Sequence, residues 1–172
     1  MKKTVLVIAA LCFSILITSC KTEEKKPTVI EKKEGVYLKN AITSINWTAY
    51  KTTDKIPVNG SFKKVNITKN GFGNTATKAF NNVEFSIPVS SLFSANADRD
   101  SKLKKFFFGV MDNTELLSGT LVIESETTGY ADITMNGITG KLPFTYNIDQ
   151  NTFNLNAVMN LDNWNAKDAV NS

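Results

Sequence analysis

The sequence predicts a mainly β protein, an antiparallel β-barrel of about eight strands with one or two short helices. From Gly35 onward, apolar and polar residues alternate with a period of two, which indicates strands with one buried and one solvated face. Short turn signals separate these runs, as in an antiparallel meander. Such a meander can close as a barrel or split into a two-sheet sandwich. The number of strands favours a barrel whose interior can hold one elongated ligand.

The alternation fixes which residues of each strand face the interior. It is clearest in residues 45–49, 83–89, 142–148 and 153–161, and further strands fit residues 36–40, 58–68, 118–125 and 130–136. Turn signals stand at Asn59-Gly60, at residues 70–73, at Thr128-Gly129, at Asn136-Gly137 and at residues 149–151. The apolar members of the runs are therefore predicted to line one continuous inner face.

The first twenty residues are typical of an export signal. A basic start, Met1-Lys2-Lys3, precedes an apolar stretch at residues 4–18 that is too short to span a bilayer. The stretch ends in Ile17-Thr18-Ser19-Cys20, which resembles a bacterial lipobox. We predict that residues 1–19 are a lipoprotein signal peptide and that Cys20 is lipidated. An ordinary signal peptide, or a chance cysteine in an apolar run, is the alternative.

The charge of the mature chain gives no indication of nucleic-acid binding. The full sequence carries a net charge of +4, but cleavage after residue 19 removes two lysines and leaves 153 residues with a net charge of +2. Nucleic-acid binding is typically associated with a clustered basic face. Residues 20–35 are mostly charged and are predicted to be a flexible tether behind the lipidated cysteine. The barrel domain is then expected over residues 36–172.

The residue types that most enzymes use are missing from the predicted domain. The sequence has no histidine, and its two cysteines, Cys12 and Cys20, both lie in the export segment. There is no nucleophile-elbow, phosphate-binding-loop or dinucleotide-binding glycine pattern, and the aspartates near residue 100 lack calcium-loop spacing. We therefore expect no enzymatic activity, no cofactor and no metal.

Residues 94–110 interrupt the alternation and are predicted to be helical. Leu103, Phe106, Phe107 and Val110 fall on one helical face with Arg99 on the same side, whereas Lys102, Lys104, Lys105 and Phe108 fall elsewhere. The phenylalanines of this face either anchor the helix on the barrel or form a wall of its interior, and an exposed Phe108 suggests a third role as a membrane wedge. A second short helix fits residues 162–170.

Four segments in order resemble the YceI-like family. They are Trp47-Thr48-Ala49-Tyr50-Lys51 followed by Val58-Asn59-Gly60-Ser61-Phe62; the strand Phe85-Ser86-Ile87-Pro88-Val89-Ser90-Ser91-Leu92; the signature of Arg99-Asp100, Leu103 and Phe106-Phe107; and the later hairpin Thr134-Met135-Asn136-Gly137-Ile138-Thr139-Gly140. The resemblance extends from about residue 36 to residue 161. It implies a lipocalin-like barrel whose apolar channel binds a long isoprenoid or another amphiphilic lipid.

In a hollow barrel the inward-facing residues would contact the lipid, whereas in a solid sandwich the same residues would be packed core. The predicted channel lining consists of Trp47, Phe62, Phe85, Ile87, Leu103, Phe106, Phe107, Leu121, Ile123, Met135, Phe144, Phe153 and Leu155. Arg99 is the candidate for the lipid head group, although an arginine that ties the helix to the barrel would meet the same pattern. Lys102 stands where many relatives carry a histidine. The chain ends at Ser172, where relatives usually continue into a final strand, so we expect a C-terminal truncation.

Taken together, these patterns predict an exported protein that is lipid-anchored in the cell envelope, facing the periplasm or the outer-membrane surface. Its partners are expected to be an isoprenoid-type lipid and the membrane that holds its N-terminal anchor. The alternative function is a structural or interaction β-sandwich that is displayed on the membrane and binds no small molecule.

Overall fold

The computed structural model describes residues 34–51 and 54–170. The predicted signal peptide, Cys20 and most of the tether lie outside the described residues. Within those ranges the strands are β1 (Val36–Tyr37), β2 (Ile45–Lys51), β3 (Ile56–Phe62), β4 (Asn66–Lys69), β5 (Phe72–Gly73), β6 (Glu84–Pro88), β7 (Leu92–Phe93), β8 (Leu116–Ile123), β9 (Thr128–Met135), β10 (Ile138–Asp149) and β11 (Thr152–Ala157). Eight of these described strands are longer than two residues, which agrees with the predicted number.

Helical segments are short and connect the strands. They are α1 (Ala76–Phe80), α2 (Ala97–Lys102) and α3 (Lys167–Val170), a π-helical turn at Leu103–Phe107, and 3₁₀ turns at Leu38–Asn40, Val89–Ser91, Phe108–Val110 and Leu161–Trp164. The helix predicted near the C-terminal end is confirmed as the last 3₁₀ turn followed by α3.

The strands form antiparallel sheets that curl into a half-barrel. The six-stranded sheet has the order β11-β10-β9-β8-β6-β4, the three-stranded sheet the order β2-β3-β7, and β1 pairs with β5. Successive strands pass from one large sheet into the other: β6 leads into β7 through the 3₁₀ turn at Val89–Ser91, and β3 is followed by β4. The predicted antiparallel, mainly β architecture is confirmed. Within the described residues, β11 and β4 are the edge strands of the six-stranded sheet, and β2 and β7 are those of the three-stranded sheet.

Two glycine signals were assigned correctly to turns. Asn136-Gly137 joins β9 to β10 with φ values of 52° and 68°, and Asn70-Gly71 has φ values of 60° and 81°. These left-handed conformations are the ones that Asn and Gly tolerate best. The signal at residues 149–151 is likewise confirmed, because Gln150 turns the chain from β10 into β11 with a φ of 52°.

The turns predicted at Asn59-Gly60 and Thr128-Gly129 are wrong. Gly60 lies inside β3 and Gly129 inside β9, and each supports an aromatic ring on the neighbouring strand. A β-carbon at residue 60 would lie 2.1 Å from Cζ2 of Trp47, and one at residue 129 would lie 2.7 Å from Cζ of Phe144. A strand glycine can mark such a close approach instead of a turn. The strand predicted at residues 58–68 is also divided, because it belongs to both large sheets as β3 and β4.

One end of the half-barrel interior is filled by the C-terminal segment. Trp164 is fully buried, and its Nε1–H donates a 2.8 Å hydrogen bond to the carbonyl oxygen of Ile133 in β9. The indole lies on Gly140, where a β-carbon would approach it to 2.9 Å. The Nδ2 group of Asn136 donates to the carbonyl oxygen of Trp164 at 2.9 Å. The last 3₁₀ turn is thereby fixed to the β9–β10 hairpin by a side chain and by the backbone.

The predicted helical face at residues 103–110 is wrong for Phe106 and Val110, which are 46% and 57% exposed. The cause is the π-helical turn, in which the N–H of Phe108 donates to the carbonyl oxygen of Leu103, five residues earlier. This wider turn shifts the apolar face by one residue relative to an α-helix. Phe108 is consequently buried, with its ring centroid 4.8 Å from that of Phe107.

The burial of Phe108 predicts that this side chain contributes strongly to the stability of the fold. Phe108→Ala is expected to lower the free energy of unfolding by about 3–5 kcal/mol, because it empties a buried site beside Phe62. The matched variant Phe106→Ala should cost less than about 1 kcal/mol, since that ring is half exposed and contacts the Lys105 ammonium at 5.0 Å. Equilibrium urea unfolding of both variants measures the two values. Equal costs would contradict the π-helical assignment.

Candidate functional site

The candidate site is the apolar inner face of the half-barrel. The strand registers place inner residues in rows across the sheet: Leu121, Ala131 and Leu142 are direct partners on β8, β9 and β10. The next row along the barrel contains Phe144 and Ala157 on β10 and β11. Because side chains alternate across a strand, each row continues the same inner surface. This surface is built almost entirely from aliphatic and aromatic groups.

The described structure places most of the predicted lining residues on this face. They differ in how deeply they are buried. Phe62, Phe85, Ile87, Met135 and Phe144 are buried, whereas Trp47, Leu103, Phe107, Leu121, Ile123 and Phe153 are partly buried and pack against them. Phe106 points away, as described above, and Leu155 is 37% exposed. The predicted set therefore contains both well-packed core and side chains that retain accessible apolar surface.

Several inner-face residues were missing from the predicted set. Tyr146 is buried, stacks on Phe153 with centroids 4.9 Å apart, and donates its hydroxyl hydrogen to the carbonyl oxygen of Ser125 at 2.7 Å. Phe80, at the end of α1, stacks on the other side of Phe153 at 3.9 Å. The alternation already assigned Tyr146 to the inner face. Phe80 lies on a five-residue helix outside every periodic run, so no sequence pattern marked it.

The inner face is most accessible along β10 and β11. Ile148 and Leu155 are 38% and 37% exposed, although the register places both on the inner side. Within the described residues β11 pairs only with β10. The free edge of the sheet at β11 therefore carries apolar side chains with accessible surface.

One polar atom of the inner face lacks a partner. The Nε1–H of Trp47 is buried and has no hydrogen-bond acceptor among the described residues. Trp47 lies on β2 directly opposite Gly60, and its six-membered ring rests on that glycine. Buried N–H groups are nearly always hydrogen-bonded in proteins, so this donor requires an explanation.

Comparison with known proteins identifies the family. The YceI-like domain model matches residues 37–171. The chain belongs to the YceI-like family. No curated protein matches the sequence significantly.

A solved structure shares the fold of this YceI-like chain. It is a polyisoprenoid-binding domain from Saccharophagus degradans that is implicated in plant cell wall breakdown. The two structures superpose with a TM-score of 0.54 at 11% sequence identity, over 80% of this chain and 83% of that chain. At this identity the comparison establishes the fold alone, and it confirms the lipocalin-like architecture predicted from the sequence.

The Arg-Asp pair of this YceI-like chain is organised around one buried serine. Arg99 donates from Nε to Oγ of Ser94 at 2.8 Å and from Nη2 to the carbonyl oxygen of Ser94 at 2.7 Å. Oδ1 of Asp100 accepts from the Ser94 backbone N–H at 2.9 Å and from its hydroxyl at 2.5 Å. Ser94 directly follows β7, so the pair ties α2 to the end of that strand.

Arg99 also lies on the opposite side of the sheet from the apolar face. It borders a surface groove of about 440 Å³ that is lined by Asn46, Asn59 and Ser61. These residues alternate with inner-facing ones on β2 and β3 and therefore belong to the outer face. The head-group role of Arg99 stays a prediction. The contacts correspond to the other interpretation of the sequence, in which the arginine attaches the helix to the sheet.

The remaining features of the site concern metals and membranes. In residues 34–51 and 54–170, no three acidic side chains are grouped closely enough to hold a metal ion. None of the helices in the same ranges is both long enough and apolar enough to cross a membrane.

Proposed function

We propose that this YceI-like domain binds a long apolar lipid of isoprenoid type on the inner face of its half-barrel. The observation that carries the proposal is the continuous apolar surface across β8–β11, which stays partly exposed at Ile148 and Leu155. Accessible apolar surface in a concave, rigid β-sheet is typical of a site for an apolar ligand. A long chain could cover several rows of inner side chains at once.

The comparisons support the same ligand class. The solved structure with the same fold is described as a polyisoprenoid-binding domain. Isoprenoid chains present methyl-branched hydrocarbon, which gains about 25 cal/mol for each Å² removed from water. The function is proposed to be non-enzymatic binding or transport, since the sequence after Cys20 contains neither histidine nor cysteine.

The experiment that tests this proposal is uptake of a polyprenol by purified, delipidated protein. We expect saturable binding with one polyprenol molecule per protein, detected by native mass spectrometry. A folded protein that takes up no polyprenol would contradict the proposal and favour an interaction module.

We further propose that the protein is exported and anchored in the cell envelope through a lipid on Cys20. The lipobox-like sequence supports this, and Cys20 lies outside the described residues. Cys20→Ala is expected to move the protein from the detergent phase to the aqueous phase in a Triton X-114 partition, because stable anchoring depends on the acyl chains. Cys12→Ala, in the apolar part of the signal, is the matched control and should partition like the parent. Unchanged partition of Cys20→Ala would exclude Cys20 as the anchor.

A further inference from the structure

The two tryptophans of the sequence occupy nearly the same local environment but differ in one respect. Each indole lies close to a strand glycine, Trp47 to Gly60 and Trp164 to Gly140. Trp164 donates its Nε1–H to the carbonyl oxygen of Ile133 at 2.8 Å. The Nε1–H of Trp47 is buried without an acceptor among the described residues. Leaving such a donor unpaired destabilises a protein unless another molecule supplies the acceptor.

The indole of Trp47 is poorly placed to find an acceptor by moving. A β-carbon at Gly60 would lie only 2.5 Å from Cε2, the ring atom bonded to Nε1. The ring is thus in close contact with the β3 backbone, and its other side packs with the apolar core. Because Nε1 is buried, an acceptor oxygen reaches it only when the side chains that cover it move aside.

The position of Trp47 connects this donor to the lipid site. Trp47 lies on the inner side of β2, in the same row as Gly60, and the neighbouring row pairs Ile45 with Phe62. β2 is an edge strand of the three-stranded sheet within the described residues. Arg99, the sequence-based candidate for a polar contact, lies on the outer face with two of its nitrogens bonded to Ser94. Among the buried side-chain donors of the described residues, the Nε1–H of Trp47 is the one without a partner.

We propose that Trp47 Nε1–H donates a hydrogen bond to an oxygen atom of the bound lipid. This inference rests on the proposed lipid-binding function and makes it more specific. The preferred ligand is an isoprenoid that carries an acceptor oxygen, either a hydroxyl or a carbonyl, and that inserts this oxygen toward β2 while its hydrocarbon chain covers the inner face. An isoprenoid hydrocarbon without oxygen leaves the donor unpaired and binds more weakly.

The test compares three probes on three proteins. The probes are a polyprenol, a prenylated benzoquinone and the polyprene hydrocarbon of the same chain length. The proteins are the parent, Trp47→Phe and the matched control Trp164→Phe, each in the purified full chain. In Trp47→Phe we expect affinity for the oxygen-bearing probes to fall about three- to tenfold and affinity for the hydrocarbon to change less than about twofold. In Trp164→Phe the ratio of the affinities should equal that of the parent. The alcohol and the quinone together distinguish hydroxyl from carbonyl recognition.

A second measurement separates hydrogen bonding from general loss of packing. With two tryptophans, the ¹⁵N–¹H spectrum contains two indole signals, which the two variants assign. We expect the oxygen-bearing probes to move the Trp47 signal downfield and to leave the Trp164 signal unchanged.

The outcomes are distinguishable. If the parent binds no probe, the proposed lipid-binding function fails and this inference fails with it. If the parent binds all three lipids but Trp47→Phe keeps the same preference for the oxygen-bearing probes, the lipid site stands and the role of Trp47 is refuted.

Discussion

Replacing Trp164 with alanine is expected to lower the free energy of unfolding by about 3–5 kcal/mol. The indole is fully buried against the β9–β10 hairpin and makes a hydrogen bond to Ile133, so the substitution leaves both a cavity and an unpaired carbonyl oxygen. Such a loss is a large share of the roughly 5–15 kcal/mol that stabilises an average domain. Equilibrium urea unfolding followed by circular dichroism gives the value.

The control for this variant is Trp164→Phe, which keeps most of the ring and removes the N–H donor. We expect it to cost clearly less than the alanine variant, because most of the cavity stays filled. An alanine variant as stable as the parent would show that the C-terminal 3₁₀ turn does not close this end of the half-barrel.

The variant Leu155→Glu is expected to weaken polyprenol binding at least about tenfold, which corresponds to a loss of about 1.4 kcal/mol in binding free energy. Leu155 lies on the inner side of β11 and is 37% exposed, so the glutamate can reach water while the site is empty. A bound hydrocarbon chain would exclude that water and leave the carboxylate poorly solvated. The measurement is polyprenol affinity of Leu155→Glu, with thermal unfolding as a check on the fold.

The matched control is Asn156→Glu, one residue later on the same strand. Asn156 pairs with Thr145 on the outer side, so the same charge is placed on the solvated face. Its affinity should stay within about twofold of the parent, a range that corresponds to less than about 0.5 kcal/mol. Equal losses in both variants would indicate that the added charge acts through the whole molecule, and they would contradict binding on the inner face.

The sequence predicted the inner face well because the period of a strand is two. Phe144 and Tyr146 on β10 are buried, as their alternation with Pro143 and Thr145 requires. A shift by one residue would have exposed the whole apolar set, so the pattern specifies the register strongly. The same reasoning assigned Phe153 and Leu155 to one face of β11.

The helical segment was predicted less well because its geometry depends on tertiary packing. The spacing of Leu103, Phe106 and Phe107 fits an α-helix. The local sequence pattern does not distinguish it from a π-helical turn, which contains one more residue. Burial of Phe108 against Phe62 and Phe107 accompanies this turn. Phe108 fell outside the predicted helical face, and its suggested role as an exposed membrane wedge is wrong because the side chain is buried in the core.

The prediction of turns from Asn-Gly pairs was the second source of error. Gly60 and Gly137 each follow an asparagine, yet the first supports Trp47 inside a strand and the second forms a turn. Both positions favour glycine. At residue 60 a side chain would clash with the ring of Trp47, and at residue 137 the backbone has a positive φ. The distinction depends on which aromatic ring crosses from the next strand. The unpaired donor of Trp47 was likewise invisible in the sequence, because it depends on which acceptors the fold brings close.

The most direct test of lipid binding is organic extraction of the purified protein followed by mass spectrometry. The protein is expressed in a bacterial host and purified without added lipid, and its fold is verified by circular dichroism. We predict an isoprenoid-type lipid that copurifies in a near one-to-one ratio, and a lower ratio for Leu155→Glu than for Asn156→Glu. A folded protein that carries no such lipid and takes up no added polyprenol would contradict the proposed function.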